Sequence, residues 1–127
     1  MEVTGKPIKR LLIIDDNEAI ARVVMIYLKG EYESVWMENP LEAIEWIRNH
    51  QLPDLILSDI RMPQMRGDEF LLQMKSDENY QHIPIVMLSG EDSTTERERL
   101  LQGGAADYIV KPFNPLELKT RLKRIVG

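Results

Sequence analysis

The chain has 127 residues, 16 Lys and Arg against 21 Asp and Glu for a net charge of −5, 43% apolar residues and no cysteine. That length suits one domain, spanning residues 1–127, whose core needs neither disulfides nor a structural zinc; the missing thiols exclude cysteine nucleophiles and Cys-ligated metals. The acidic balance argues against direct nucleic-acid binding, the longest apolar runs fall far short of the ~20 residues of a membrane span, and residues 1–7 carry no apolar signal core, so a cytoplasmic protein without membrane contact is expected.

Strand-length apolar runs alternate with segments of helical period. Residues 11–14 form the first predicted strand. A helix follows with Ile20, Val23, Val24, Tyr27 and Leu28 on one face, at i, i+3, i+4, i+7 and i+8. Residues 34–37 form the second strand, and Asn39-Pro40-Leu41-Glu42 opens the second helix, with Asn as cap, Pro at the first helical position and Glu able to reach back. The third strand is 55–58, and the third helix starts near Gly67 and carries Phe70, Leu71 and Met74. The fourth strand is 85–88. From 91 to 99 there is no apolar residue, so only Leu100, Leu101 and the alanines near 105 can anchor a fourth helix, which is predicted to be among the least stable elements. Residues 108–110 form the fifth strand, and Asn114-Pro115-Leu116-Glu117 starts the fifth helix with the capping solution already used at Asn39. Most strand runs are continuously apolar, as in a parallel sheet covered on both faces. Five β-α units with right-handed crossovers give a doubly wound α/β fold.

Ligands of such a sheet bind beyond the carboxyl ends of its strands. The first strand ends in Asp15-Asp16, the third in Asp59, the fourth in Ser89-Gly90 and the fifth in Lys111-Pro112, whereas the second ends in Glu38-Asn39, outside this set. Three clustered carboxylates gain from a hard cation, and an all-oxygen donor set suits Mg²⁺ better than zinc. A hydrated Mg²⁺ beside a lysine is the setting of phosphoryl transfer, with one carboxylate as nucleophile. Asp59, a single acid on a middle strand flanked by the pair that would hold the metal, is the best candidate. His50 and His82 fall in loops away from the strand ends, and Met62-Pro63 shapes a loop.

These residues resemble the receiver domain of two-component response regulators, the CheY-like fold. The likeness runs from about Arg10 to Val126 and is carried by Asp15-Asp16-Asn17, by Pro53-Asp54 through Asp59-Ile60-Arg61-Met62-Pro63 with Gly67, by Ser89-Gly90, and by Gly104 through Tyr108 to Lys111-Pro112-Phe113. The resemblance implies a flavodoxin-like five-stranded sheet in order 2-1-3-4-5. It implies that Asp59 accepts phosphate from a phosphohistidine of a sensor histidine kinase or phosphotransfer protein, and that Asp16 ligates Mg²⁺ directly and Asp15 directly or through water. The metal shell would be completed by the backbone carbonyl of Arg61. Lys111 would pair with the phosphoryl group, Ser89 and Tyr108 would form the switch pair, and the bond before Pro112 would be cis. Activation would move Ser89, let Tyr108 enter the gap and carry the face of the fourth helix with it. Catalysis would be confined to the domain's own phosphorylation and dephosphorylation.

Arg61 and Glu91, each two residues beyond a site residue, are expected at the rim, where opposite charges could pair and slow hydrolysis. Arg97 and Arg121 resemble basic positions of receivers that dimerise through the fourth helix, fifth strand and fifth helix, although Ala106 stands where that subfamily usually has Asp. A haloacid-dehalogenase-type phosphatase wants two aspartates flanking one residue after the first strand, which Asp15-Asp16-Asn17-Glu18 does not provide. A flavin binder wants a Ser-, Thr- and Gly-rich loop there, where the acidic loop would repel a phosphate. A degenerate receiver acting as a phosphorylation-independent interaction module is disfavoured because none of the five key residues is missing. With nothing after Gly127, the chain is expected to be a stand-alone receiver or one excised from a longer protein, with output undetermined.

Overall fold

A computed structural model describes residues 8–126; residues 1–7 and Gly127, on which the expectations about a leader and the chain's end fall, lie outside the described residues. The elements run β1 (Lys9–Ile14), α1 (Glu18–Tyr27), β2 (Tyr32–Met37), α2 (Pro40–Asn49), β3 (Leu55–Asp59), α3 (Gly67–Lys75), β4 (Ile85–Ser89), α4 (Thr94–Gln102), β5 (Asp107–Val110) and α5 (Pro115–Val126). All strand pairs are parallel, in the order β2-β1-β3-β4-β5. β1 and β2 begin before their apolar runs because backbone pairing continues from Leu11 back to Lys9, opposite Tyr32. No helix among the described residues is long and apolar enough to cross a membrane.

Each apolar strand feeds two cores because alternate side chains leave opposite faces. Leu11, Ile13, Leu55, Leu57, Val86, Leu88 and Ile109 pack with Val24 of α1 and with Leu118 and Leu122 of α5. Leu12, Ile14, Ile56, Ile85 and Met87 pack on the other side with Ala43 and Ile47 of α2, Phe70, Leu71 and Met74 of α3, and Leu100 of α4. Both proline-started helices have the expected caps: the Asn39 side chain accepts from the Glu42 backbone N–H at 2.9 Å, and the Asn114 side chain accepts from the backbone N–H groups of Leu116 and Glu117 at 2.8 and 3.2 Å.

Two predicted faces are turned. α1 buries Ala21, Val24 and Leu28, while Val23 is 39% exposed. Ile20, Val23 and Tyr27 line an open groove of about 450 Å³ together with Pro112 and Phe113. In α4, Leu100 is buried as expected, Leu101 is 37% exposed, and Glu96, within the stretch that has no apolar residue, is buried at 8% exposure. Leu100 is the one buried apolar residue of this helix, which a carboxylate holds as well.

Gly67 sets the turn between β3 and α3. Its N–H donates to the Ile60 carbonyl at 2.7 Å, and a Cβ at this position would overlap the carbonyl oxygen of Asp59. Only a residue without a side chain lets the start of α3 sit against the end of β3 this closely.

Candidate functional site

The strand ends bring Asp15, Asp16 and Asp59 together, with one carboxylate oxygen from each lying within 4.8 Å of the others. Asp15 is fully buried. Its backbone is fixed by the edge strand, since the Asp15 N–H donates to the Met37 carbonyl at 3.2 Å and the Trp36 indole N–H donates to the Asp15 carbonyl at 2.7 Å. Its side chain accepts from the Asn17 backbone N–H at 2.8 Å. Lys111 lies between two of the acids, its Nζ 3.3 Å from Asp15 Oδ2 and 3.2 Å from Asp59 Oδ1. The peptide between Lys111 and Pro112 is cis.

Burial pushes the Asp15 carboxyl above the ordinary range, against the Asn17 N–H and the Lys111 ammonium, and the nearby Asp59 charge adds to the rise. Such a carboxylate is short of positive charge. The donor set, carboxylate oxygens at one edge of the sheet, fits a hard divalent cation and offers nothing to a soft one.

Ser89, at the end of β4, is buried beside this cluster, and Tyr108 is buried with its ring among the α2–α4 core residues. Their hydroxyls meet on one acceptor. Glu96 Oε1 accepts from Ser89 Oγ at 2.9 Å and from the Tyr108 hydroxyl at 2.6 Å, while Glu96 Oε2 accepts from Arg61 Nη2 at 3.3 Å. The Glu91 carbonyl lies 2.7 Å from the Tyr108 hydroxyl and 3.1 Å from Ser89 Oγ. Burial works to raise the Glu96 carboxyl, but the two hydroxyls and the Arg61 and Arg99 guanidiniums outweigh it and hold the group below the ordinary range. Burial and the Glu96 contact push the Tyr108 phenol up.

In this structure Tyr108 is buried, with its hydroxyl bonded to Glu96 and to the Glu91 carbonyl.

At the rim, Arg61 Nη2 lies 3.1 Å from Glu91 Oε1. Arg97 and Arg121 both turn back onto β5 and donate to the Tyr108 carbonyl at 3.3 and 3.0 Å; Arg97 also lies over the Tyr108 ring and 3.7 Å from Asp92, and Arg121 lies 3.4 Å from Asp107. His50 stacks on Trp46 with ring centroids 4.9 Å apart, and His82 is exposed; neither joins the cluster. Sequence reasoning missed Glu96 and Trp36. Nothing distinguishes Glu96 from its charged neighbours until the fold turns it inward, and Trp36 reads as one more edge-strand apolar residue.

The response regulator receiver domain family matches residues 11–123. The chain belongs to that family. It is similar to the hybrid signal transduction histidine kinase D of Dictyostelium discoideum (37% identical, 98% of this chain and 8% of the kinase) and to the polar-differentiation response regulator DivK of Brucella anthropi (32% identical, 94% of this chain and 97% of DivK). The receiver thus spans under a tenth of its kinase relatives, about half of relatives such as response regulator Rre1 of Synechocystis, and nearly all of DivK. Among solved structures, the chemotaxis response regulator CheY4 of Vibrio cholerae superposes with a TM-score of 0.85 at 32% identity, covering 94% of this receiver and 99% of CheY4. The receiver is a signalling domain of two-component systems, with a doubly wound parallel sheet in the order 2-1-3-4-5.

Proposed function

We propose that this receiver, over residues 1–127, takes a phosphoryl group onto Asp59 from the phosphohistidine of a sensor kinase or phosphotransfer protein, in a Mg²⁺-dependent reaction in the cytoplasm. The observation that carries this reading is Lys111 bridging Asp15 and Asp59 inside a three-carboxylate cluster at the switch point of the sheet. Asp15, Asp16 and Asp59 would hold the ion through their carboxylates and Arg61 through its backbone carbonyl. When bound, Mg²⁺ offsets the negative charge of the carboxylates and of the phosphoryl oxygens.

The remaining work belongs to the chain. An Asp59 oxygen forms the new P–O bond as the P–N bond breaks and the imidazole leaves. Lys111, already 3.2 Å from Asp59, turns its ammonium to the transferred oxygens. Ser89 then donates to one of those oxygens, and its movement carries α4. The signal leaves through the surface of α4, β5 and α5 toward an output domain or effector.

Incubation with acetyl phosphate and Mg²⁺ followed by intact mass is the test: one phosphoryl adduct on the wild type and none on Asp59→Asn supports the reading, and an adduct on Asp59→Asn refutes it. A phosphorylation-dependent dimer through the same face is a secondary proposal, because Arg97 and Arg121 already have acidic partners within the chain. Size exclusion with and without beryllofluoride tests it.

A further inference from the structure

We propose that Glu96 is the catch of this receiver's switch: its buried carboxylate holds the Ser89 hydroxyl and Tyr108 together in the unphosphorylated protein and competes with the phosphoryl group for the Ser89 proton. This inference rests on Asp59 being the phosphoacceptor and adds a positioning residue that lies outside the acidic cluster.

Proton counting carries it. Ser89 has one hydroxyl proton, and its two acceptors in the structure, Glu96 Oε1 at 2.9 Å and the Glu91 carbonyl at 3.1 Å, both belong to the segment entering or forming α4. While that proton is given to Glu96, none is left for an oxygen on Asp59. A bond to a buried carboxylate is charge-assisted and roughly twice as strong as a neutral one, so the competition is not trivial. A phosphoryl group brings ~−1.5 to −2 charge at pH 7 and can win the proton, but only by the difference between two strong acceptors.

Glu96 is built for this place. Its backbone N–H donates to the Ser93 side chain, the N-terminal cap of α4, at 3.1 Å, so the carboxylate and the helix start move as one unit. Arg61 balances its charge from the loop after β3. When Ser89 leaves, Glu96 keeps Tyr108 and Arg61, and the loss of one of three partners falls on the first turn of α4. The ring of Tyr108 stays in place. The event at Asp59 thus reaches α4 through the Glu96 carboxylate.

The test is a double-mutant cycle read by beryllofluoride affinity with Mg²⁺ in excess. Glu96→Gln keeps the shape but makes the acceptor neutral, and should bind beryllofluoride about threefold to tenfold more tightly than wild type. Ser89→Ala binds more weakly, and in that background Glu96→Gln should add nothing, because the proton under competition is gone. A purely structural role for Glu96 would show the same change with or without Ser89. Glu96→Asp keeps the charge but shortens the reach, so it should tighten binding in the same direction and serves if the Gln variant does not fold. Unchanged or weaker binding in both Glu96 variants, or an equal gain in the Ser89→Ala background, overturns the catch while leaving Asp59 as acceptor. Wild type that binds no beryllofluoride overturns the phosphoacceptor reading and the catch together.

Discussion

Arg61 reaches over the end of the sheet to Glu91, Nη2 to Oε1 3.1 Å, and the same nitrogen lies 3.3 Å from the buried carboxylate of Glu96. One guanidinium therefore joins the loop after β3 to both the rim and the interior of the α4 region. An Arg-carboxylate pair at the rim would hinder the approach of water to an acyl phosphate on Asp59. We predict that Glu91→Ala shortens the phosphorylated half-life several-fold while changing stability by no more than ~0–1 kcal/mol, as for an exposed ion pair. Arg61→Ala should shorten it similarly but cost more stability, because it also leaves Glu96 without its guanidinium. Loss of phosphate over time in excess Mg²⁺ checks this, and equal lifetimes in all three proteins would remove the rim pair from the mechanism.

Metal affinity should depend on the exposed member of the acidic pair. Mg²⁺ is expected to bind in roughly the sub-millimolar to millimolar range of a hydrated site with few protein ligands, and Asp16→Ala should weaken it most. A Mg²⁺ titration in which Asp16→Ala keeps wild-type affinity would place the ion elsewhere.

Gly67→Ala should disturb the site from outside it. The added Cβ has no space beside the Asp59 carbonyl, so either α3 or the end of β3 must shift. We expect a loss of ~1–3 kcal/mol, the usual range for overpacking a tight contact, together with slower phosphorylation of Asp59. Chemical denaturation and the rate of acetyl phosphate labelling measure the two effects, and a variant normal in both would contradict the packing argument.

Asp68 ties α3 to α4 through Arg99 at 3.3 Å and is itself held by Arg66 at 3.0 Å. Burial works to raise its carboxyl, but the two guanidiniums outweigh it, so the folded group titrates below the ordinary value of 3.8. A carboxyl depressed in the folded state stabilises above its unfolded value, and that stabilisation is lost as pH falls through the folded one. Asp68→Asn should therefore cost under ~1 kcal/mol at neutral pH, and the gap to wild type should close below about pH 4. Urea midpoints of both proteins across that range are the measurement; a gap that persists undiminished at low pH would assign the contact to packing.

Hydrogen exchange on beryllofluoride addition should alter protection over residues 89–106 more than elsewhere. The segment holds both acceptors of Ser89, and α4 has Leu100 as its one buried apolar residue. Changes confined to α1 and α2 would oppose the route through Glu96.

The five apolar runs and the residues that follow them determine by themselves the sheet and the identity of its acidic edge. A continuously apolar strand has to be covered on both faces, and a parallel sheet has to gather the polar residues after its strands at one end. Asp15, Asp16, Asp59, Ser89 and Lys111 were legible for that reason. Tertiary structure alone decided what Glu96 does. In the chain it is one charge among many between 91 and 99, and its burial depends on partners 7, 12 and 35 positions away, Ser89, Tyr108 and Arg61. A carboxylate enters a core only where donors from separate elements converge to offset its desolvation, and no local period or spacing records that convergence. Which face α1 buries, Ala21 and Val24 and not Val23, has the same origin, since it depends on the sheet and helices beneath it.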